Sequence, residues 1–120
     1  MNYTRIKHKQ FYGKAVTFLF DNGTEVLRSY NTIVAIRDPE GNIHRTWYNG
    51  WSATTGKHIR CFMALNKHEY LDIKYEYLED VLTKCGIDND TIYRFKQEAH
   101  DYNFKGVNQN IYFGYNRYAL

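Results

Sequence analysis

A short segment in the middle of the chain places hydroxyl, cationic and aromatic side chains at the start of a predicted helix. The first backbone N–H groups of a helix have no partner within the helix, and the helix dipole gives this end a partial positive charge. Phosphate and carboxylate groups bind favourably at such an end. The candidate partner- or anion-binding residues are Trp51, Ser52, Thr54, Thr55, Lys57, His58 and Arg60.

A simpler interpretation also fits this segment. Ser and Thr are common helix caps, so Ser52 or one of the threonines would only cap the helix, while Trp47 and Trp51 would fill the core between helix and sheet. Capping needs one hydroxyl, however. The Thr54–Thr55 and Lys57–His58 pairs therefore exceed what helix initiation requires, and both interpretations stay open.

Patterns typical of reaction centres are not found. The five histidines, none of them in an H-x-x-x-H pair or beside a C-x-x-C, are His8, His44, His58, His68 and His100. Glycine-rich phosphate loops are also missing, and Glu79 and Asp80, adjacent on a helix, would point apart. Cys61 and Cys85 are expected at buried positions, unsuited to nucleophilic chemistry. We therefore expect no enzymatic activity, no metal and no cofactor. His58 lies beside Lys57 and Arg60 on a predicted helix face, so we expect its side chain to be solvated.

Positive charge is concentrated near the N-terminus. The net charge is +3 at pH 7. The first 20 residues contain no acid and the four bases Arg5, Lys7, Lys9 and Lys14. The chain also has 12 Tyr, 7 Phe and 2 Trp. Surplus tyrosine often lies on binding surfaces, although AT-rich coding would give the same excess. A basic arm with exposed tyrosines indicates contacts with phosphates and unpaired bases.

The apolar pattern predicts strands first and helices later. A strand at 14–20 leads through Asn22-Gly23, a strong hairpin signal, into a long strand at 25–37 with two apolar faces. In that strand, Tyr30, Thr32, Val34 and Ile36 are expected on one face and Asn31, Ile33 and Ala35 on the other. A proline-glycine turn then leads to a strand at 43–48.

Three helices are predicted, over 54–65, over 72–84, and from a cap at Asp90 to about residue 102. Ile59, Phe62 and Met63 form the apolar stripe of the first helix. Strands followed by helices favour an α+β fold, with the helices on one face of an antiparallel sheet.

The expected organisation is one domain over residues 1–120. It has a basic arm at 1–13, a β-meander at 14–48, helices within 52–102, and an aromatic tail or edge strand at 103–120. The sheet has three or four strands and is packed by three C-terminal helices. No apolar run is long enough to span a bilayer, and the N-terminus lacks a secretory signal pattern, so no membrane contact and a cytoplasmic location are expected.

Part of the sequence follows a recognisable pattern: a Ser-Tyr-x-Thr-x-Val strand, a hairpin, then Tyr/Trp-Ser-x-Thr-Thr and a Lys/Arg-His pair. The residues that fit are Ser29, Tyr30, Thr32, Val34, Trp51, Ser52, Thr54, Thr55, Lys57 and His58. This stretch resembles a family of small uncharacterised proteins from phages and mobile elements of Gram-positive bacteria. The resemblance implies a genetic setting and no activity.

Two functions are expected. The first is a phage-encoded, non-enzymatic interaction protein that inhibits a host defence system, specifically a CRISPR effector nuclease, in the manner of an anti-CRISPR. A net charge of +3 excludes a general DNA mimic, so inhibition would use protein contacts or the nucleic-acid component of the complex. The alternative is a small nucleic-acid-binding accessory protein of a phage or mobile element. The expected partners are a host protein or ribonucleoprotein, or nucleic acid itself.

Overall fold

Among the residues that the structure describes, five antiparallel strands form one sheet in which neighbours in sequence are also neighbours in space. The computed structural model describes residues 1–48 and 51–101, so the predicted aromatic tail or edge strand lies outside the described residues. The strands are β1 Tyr3–Lys7, β2 Ala15–Phe20, β3 Glu25–Ser29, β4 Thr32–Arg37 and β5 Ile43–Arg45. A 3₁₀ turn, Lys9–Phe11, lies between β1 and β2.

In the described part of the chain four helices follow the sheet: α1 Ala53–Met63, α2 Lys67–Asp72, α3 Leu78–Lys84 and α4 Asn89–Asp101. The order of strands and then helices confirms the α+β class. The described residues contain more strands and more helices than the sequence pattern predicted.

The segment predicted as a basic arm contains the edge strand β1. It pairs with β2, with Tyr3 opposite Phe20 and Lys7 opposite Val16. The Tyr3 ring packs on Phe20 and on Phe95 of α4, at centroid distances of 5.0 and 5.5 Å. Edge strands commonly carry charged residues because these oppose pairing with other chains. Such charges also remove the apolar alternation that would have revealed the strand.

The long strand predicted at 25–37 is two strands, β3 and β4, joined by a tight turn. Tyr30 forms this turn in the left-handed region, at φ 55°. Hairpin turns of this kind usually contain Gly, Asn or Asp at positive φ. A turn that begins with tyrosine therefore gives no clear sequence signal.

A β-bulge in β4 also changes the predicted faces. Leu27 pairs with Ala35 and Arg28 with Ile33, which leaves Val34 as the extra residue. As a result Ile33 and Ile36 enter one core, whereas Val34 and Ala35 enter the other. The prediction that both faces are apolar is confirmed, but the strict alternation is wrong.

The sheet is covered on both faces, not on one as predicted. On one side the strands pack against the helical residues Leu78, Val81, Leu82, Ile92 and Phe95. On the other they pack against Ile59, Met63 and Tyr70. Helices α3 and α4 therefore cover one face, and α1 and α2 cover the opposite face.

The helix predicted over 72–84 is interrupted. Its first residue, Asp72, instead ends α2, which begins with a capping box between Asn66 and Glu69. Tyr75 then forms an isolated parallel bridge to Arg45 of β5. The pairing of these residues with the sheet edge, a tertiary contact, prevents one continuous helix.

The other helix ends agree more closely with the sequence pattern. Gly86, at φ 86°, follows α3 directly after its C-cap, Cys85, close to the predicted end at residue 84. At the start of α4, Asp88, and not the predicted Asp90, accepts a hydrogen bond of 3.1 Å from the backbone N–H of Thr91. Ile92 and Phe95 are buried on the inner face of α4.

His44 of β5 lies between two carboxylates from different parts of the chain. Its Nε2 is 2.9 Å from Asp38 Oδ2, and its Nδ1 is 2.9 Å from Glu76 Oε2. Lys84 of α3 also pairs with Glu76. Burial opposes the charged imidazolium, but the hydrogen bonds to Asp38 and Glu76 outweigh it and raise the pKa of His44. The ion pairs fasten β5 to the segment between α2 and α3.

We expect His44→Gln to destabilise the fold at about pH 6 and to have a smaller effect at alkaline pH. A raised pKa in the folded state stabilises the fold fully below the unfolded pKa of about 6.5, and this contribution is lost as pH rises through the folded pKa. Burial lowers the pKa values of His8 and His58, which gives the opposite dependence. Urea denaturation should therefore compare the two proteins at each pH. A difference that does not change with pH contradicts the assignment.

Candidate functional site

The predicted helix start is confirmed at Ser52. Its Oγ accepts a hydrogen bond of 3.2 Å from the backbone N–H of Thr55, and its carbonyl accepts one of 2.8 Å from Gly56. The Ser52 hydroxyl therefore caps α1, and the hydroxyls of Thr54 and Thr55 are not needed for capping. Thr54 is exposed and Thr55 is buried.

His58, predicted to be solvated, is instead 1% exposed. Its Nδ1 lies 2.7 Å from Ser29 Oγ, which is also 2.9 Å from Thr55 Oγ1. Burial lowers the pKa of His58, so the imidazole is neutral at pH 7. Position 58 faces the sheet, and the hydroxyl that makes its burial possible comes from β3, far away in the sequence.

The Ser29–His58 hydrogen bond has the geometry of a nucleophile and its general base. Ser29 is only 2% exposed, however, and its hydroxyl also contacts Thr55. A substrate carbonyl would not reach this oxygen without displacing α1. The three polar side chains therefore fix the start of α1 to the end of β3.

Trp51 and Arg60, two predicted site residues, contact each other on the other side of α1. The Arg60 guanidinium lies 5.4 Å from the Trp51 ring centroid. Trp51 also packs on Tyr70, at 5.8 Å between ring centroids. Trp51 and Trp47 are both half-buried beside the core between the sheet and helices α1 and α2, called the second core below. The tryptophans therefore pack helices against the sheet, as the simpler interpretation expected.

The remaining predicted residues of α1 line a cleft of about 360 Å³ between the 3₁₀ turn and the start of α1. The residues that line it are Gln10, Phe11, Tyr12, Lys14, Tyr30, Thr54, Lys57 and His58. Lys14 belongs to the predicted basic arm, whereas Lys57 belongs to the predicted helix site. The fold thus brings a residue of the predicted basic arm and a residue of the predicted helix site into one cleft.

Two tyrosines at this cleft have left-handed backbone conformations. Tyr12 and Tyr30 both have φ 55°. This conformation costs an L-residue other than glycine roughly 1–2 kcal/mol. Tyr12 is 89% exposed, and the Lys14 ammonium lies 5.7 Å from the Tyr30 ring centroid. Neither tyrosine was predicted as a site residue, because left-handed conformation at tyrosine has no sequence signal.

A second cavity, of about 410 Å³, is lined by Lys7, Lys9, Tyr12 and Gly13. Gly13 has φ 74°, and a Cβ at this position would overlap the Lys7 side chain. Two further residues of the predicted basic arm therefore lie beside the same exposed tyrosine. Arg5, the remaining member, is exposed on β1 and lines neither cavity.

The two cysteines differ from each other. Cys85 is buried as predicted, and burial raises its pKa. Cys61 is exposed, contrary to the prediction, because it lies on the side of α1 opposite Ile59 and Met63; Gln10 Nε2 is 3.7 Å from its Sγ. Within the described part of the chain, no group of three or more His, Cys, Asp or Glu residues is placed to hold a metal ion. No described helix is long and apolar enough to cross a membrane.

The chain belongs to a family of unknown function, DUF8033, whose model matches residues 1–79. This range contains the whole described sheet, α1, α2 and all the residues that line the two cavities. No curated protein and no solved structure matches the chain. The family description gives no activity, and the phage or mobile-element setting stays a prediction.

The contact between Trp51 and Gly56 gives a test of the packing at α1. A Cβ at Gly56 would lie 2.5 Å from Trp51 Cζ2. Gly56→Ala should therefore destabilise the fold, although alanine is favoured over glycine in a helix by about 1 kcal/mol. Trp51→Ala alone should cost about 3 kcal/mol, the low end for such changes because Trp51 is half-buried.

The double variant separates this clash from a general intolerance of change. In the Trp51→Ala background, Gly56→Ala should be neutral or stabilising, because only the helix-propensity term remains. Denaturant unfolding of the four proteins measures the coupling. Additive effects would show that Trp51 does not restrict position 56.

Proposed function

We propose that this chain is a non-enzymatic protein that binds single-stranded nucleic acid in the cleft between the 3₁₀ turn and α1. One observation carries the proposal: two tyrosines in strained backbone conformations lie at the same cleft as two lysines. Strained residues tend to cluster at functional sites, where the surrounding structure holds them. The proposal develops the nucleic-acid alternative from the sequence.

The tyrosines supply surfaces on which bases can stack. Tyr12 offers nearly its whole ring to solvent, since it is 89% exposed. Each base has a flat π face, and stacking on an aromatic side chain tolerates any sequence. In a duplex these faces are already stacked within the helix. The cleft therefore suits unpaired bases better than paired ones.

The lysines supply charge for the phosphate backbone. Lys14 and Lys57 come from opposite sides of the cleft, and none of the described residues that line it is acidic. Thr54, exposed in the first turn of α1, adds a hydroxyl donor. Because burial lowers the pKa of His58, the positive charge comes from lysine. Binding should thus respond strongly to salt and weakly to pH between about 7 and 8.

The inhibitor function expected from the sequence remains a second candidate. A cationic cleft with an exposed tyrosine ring suits the RNA or the displaced DNA strand of a CRISPR effector complex, the kind of contact open to a chain that is not a DNA mimic. Its test is a CRISPR interference assay with the protein expressed in trans across effector types. Unchanged phage restriction for every type would reject this candidate.

Tyr12→Gly should weaken binding without weakening the fold. Loss of one stacked base costs about 1–3 kcal/mol, or roughly 5- to 150-fold in Kd. Glycine adopts φ 55° without strain, so the melting temperature should stay the same or rise. The measurement is fluorescence anisotropy with labelled single-stranded oligonucleotides at low salt, beside a thermal melt.

Tyr93→Ala is the matched control for this variant. Tyr93 is 68% exposed on α4, which covers the face of the sheet opposite α1. Tyr93→Ala should therefore leave the affinity for single-stranded oligonucleotides unchanged. The proposal is overturned if the unchanged protein binds no oligonucleotide at micromolar concentration, or if Tyr12→Gly binds as tightly as the unchanged protein.

Two neighbouring cations on α1 give a sharper test of the cleft. Lys57→Glu should weaken oligonucleotide binding, because Lys57 lines the cleft. Arg60→Glu makes the same change in charge, but Arg60 lies over Trp51, outside the cleft. It should reduce affinity far less while lowering stability by about 0.5–1 kcal/mol through the lost cation–π contact. Equal losses of affinity would indicate a general effect of charge and not a site.

A further inference from the structure

We infer that the second cavity, lined by Lys7, Lys9, Tyr12 and Gly13, holds the adjacent nucleotide of the same strand. The ligand is then a single strand of at least two nucleotides that crosses the turn between β1 and β2 at Tyr12. This inference rests on the proposed function, because it extends the same ligand from one cavity into the next.

Tyr12 is the residue that the two cavities share. It lines both, and its high exposure leaves its ring accessible to bases on either side. A strand that stacks on this ring from the cleft has its next nucleotide at the second cavity. The second cavity has a volume of about 410 Å³ and the cleft one of about 360 Å³. The second cavity therefore has room for a nucleotide if the cleft does.

The turn holds Tyr12 and its neighbours in a fixed arrangement. The backbone N–H of Tyr12 donates to the Lys9 carbonyl at 2.9 Å, and that of Gly13 donates to the His8 carbonyl at 3.0 Å. Gly13 has no side chain, which leaves room for the Lys7 side chain to lie against it. Lys7 is thereby placed beside the shared tyrosine.

Charge divides evenly between the two cavities. Lys7 and Lys9 line one, Lys14 and Lys57 line the other, and no acidic residue is among the described residues lining either. A strand with phosphates on both sides of Tyr12 meets two cations on each side. A mononucleotide would use only one cavity, so a longer strand is the better match.

The experiment compares ligands of increasing length. Affinities of the full chain are measured for mono-, di- and hexathymidylate and for the matching uridylates. Affinity should rise at least tenfold between the mononucleotide and the dinucleotide in at least one series, and the two series distinguish DNA from RNA. Equal affinities for mono- and dinucleotide in both series overturn the inference.

The charge variants locate the second contact. Lys7→Gln with Lys9→Gln should weaken hexanucleotide binding at least tenfold and leave mononucleotide binding unchanged. The slope of log K against log salt should become less steep by about 1.4, since each phosphate contact on a single strand contributes about 0.7. Lys67→Gln with Lys74→Gln, two exposed lysines outside both cavities, is the control pair and should change neither quantity.

The outcomes separate this inference from the proposed function. If Lys57→Glu weakens hexanucleotide binding but Lys7→Gln with Lys9→Gln leaves affinity and salt slope unchanged, the strand does not enter the second cavity and the proposed function stands. If the unchanged protein binds none of the ligands, both are overturned. Thermal melts confirm that every variant is folded.

Discussion

Strand β4 buries apolar side chains on both of its faces, and the rest of the structure depends on this arrangement. Ile33 and Ile36 contact the core under α3 and α4, while Val34 and Ala35 contact the core under α1 and α2. All four side chains are fully buried. Burial of apolar surface stabilises the folded state by about 25 cal/mol per Å². Because β4 buries side chains on both faces, this one strand contributes to the attachment of both helical layers.

The attachment of α1 determines the geometry of the candidate site. Ile59 and Met63 anchor the helix in the second core, and the hydrogen bond between His58 and Ser29 fixes its orientation at the end of β3. The 3₁₀ turn packs on the same region, with the rings of Phe11 and His58 4.6 Å apart between centroids. The cleft walls thus come from two elements that contact each other through the half-buried ring of Phe11 and the buried ring of His58.

Backbone strain connects this packing to the proposed binding surface. The left-handed conformations of Tyr12 and Tyr30 are unfavourable for isolated residues. Hydrogen bonds within the β1–β2 turn hold the first, and the pairing of β3 with β4 holds the second. The stability of the sheet therefore keeps two aromatic side chains at the cleft in the positions that the proposed stacking on a base requires, and one of them is almost wholly exposed.

The sequence by itself determined the α+β class, the β2–β3 hairpin, the region in which α1 begins and the apolar stripe of α1, because each depends on residues close together in the chain. Tertiary contacts decided the rest. Burial of His58 depends on Ser29, and the interruption before α3 depends on the bridge between Tyr75 and Arg45. Lys14 and Lys57 likewise line one cleft only because the strands and helices pack together. Local periodicity carries no information about which distant residues come into contact.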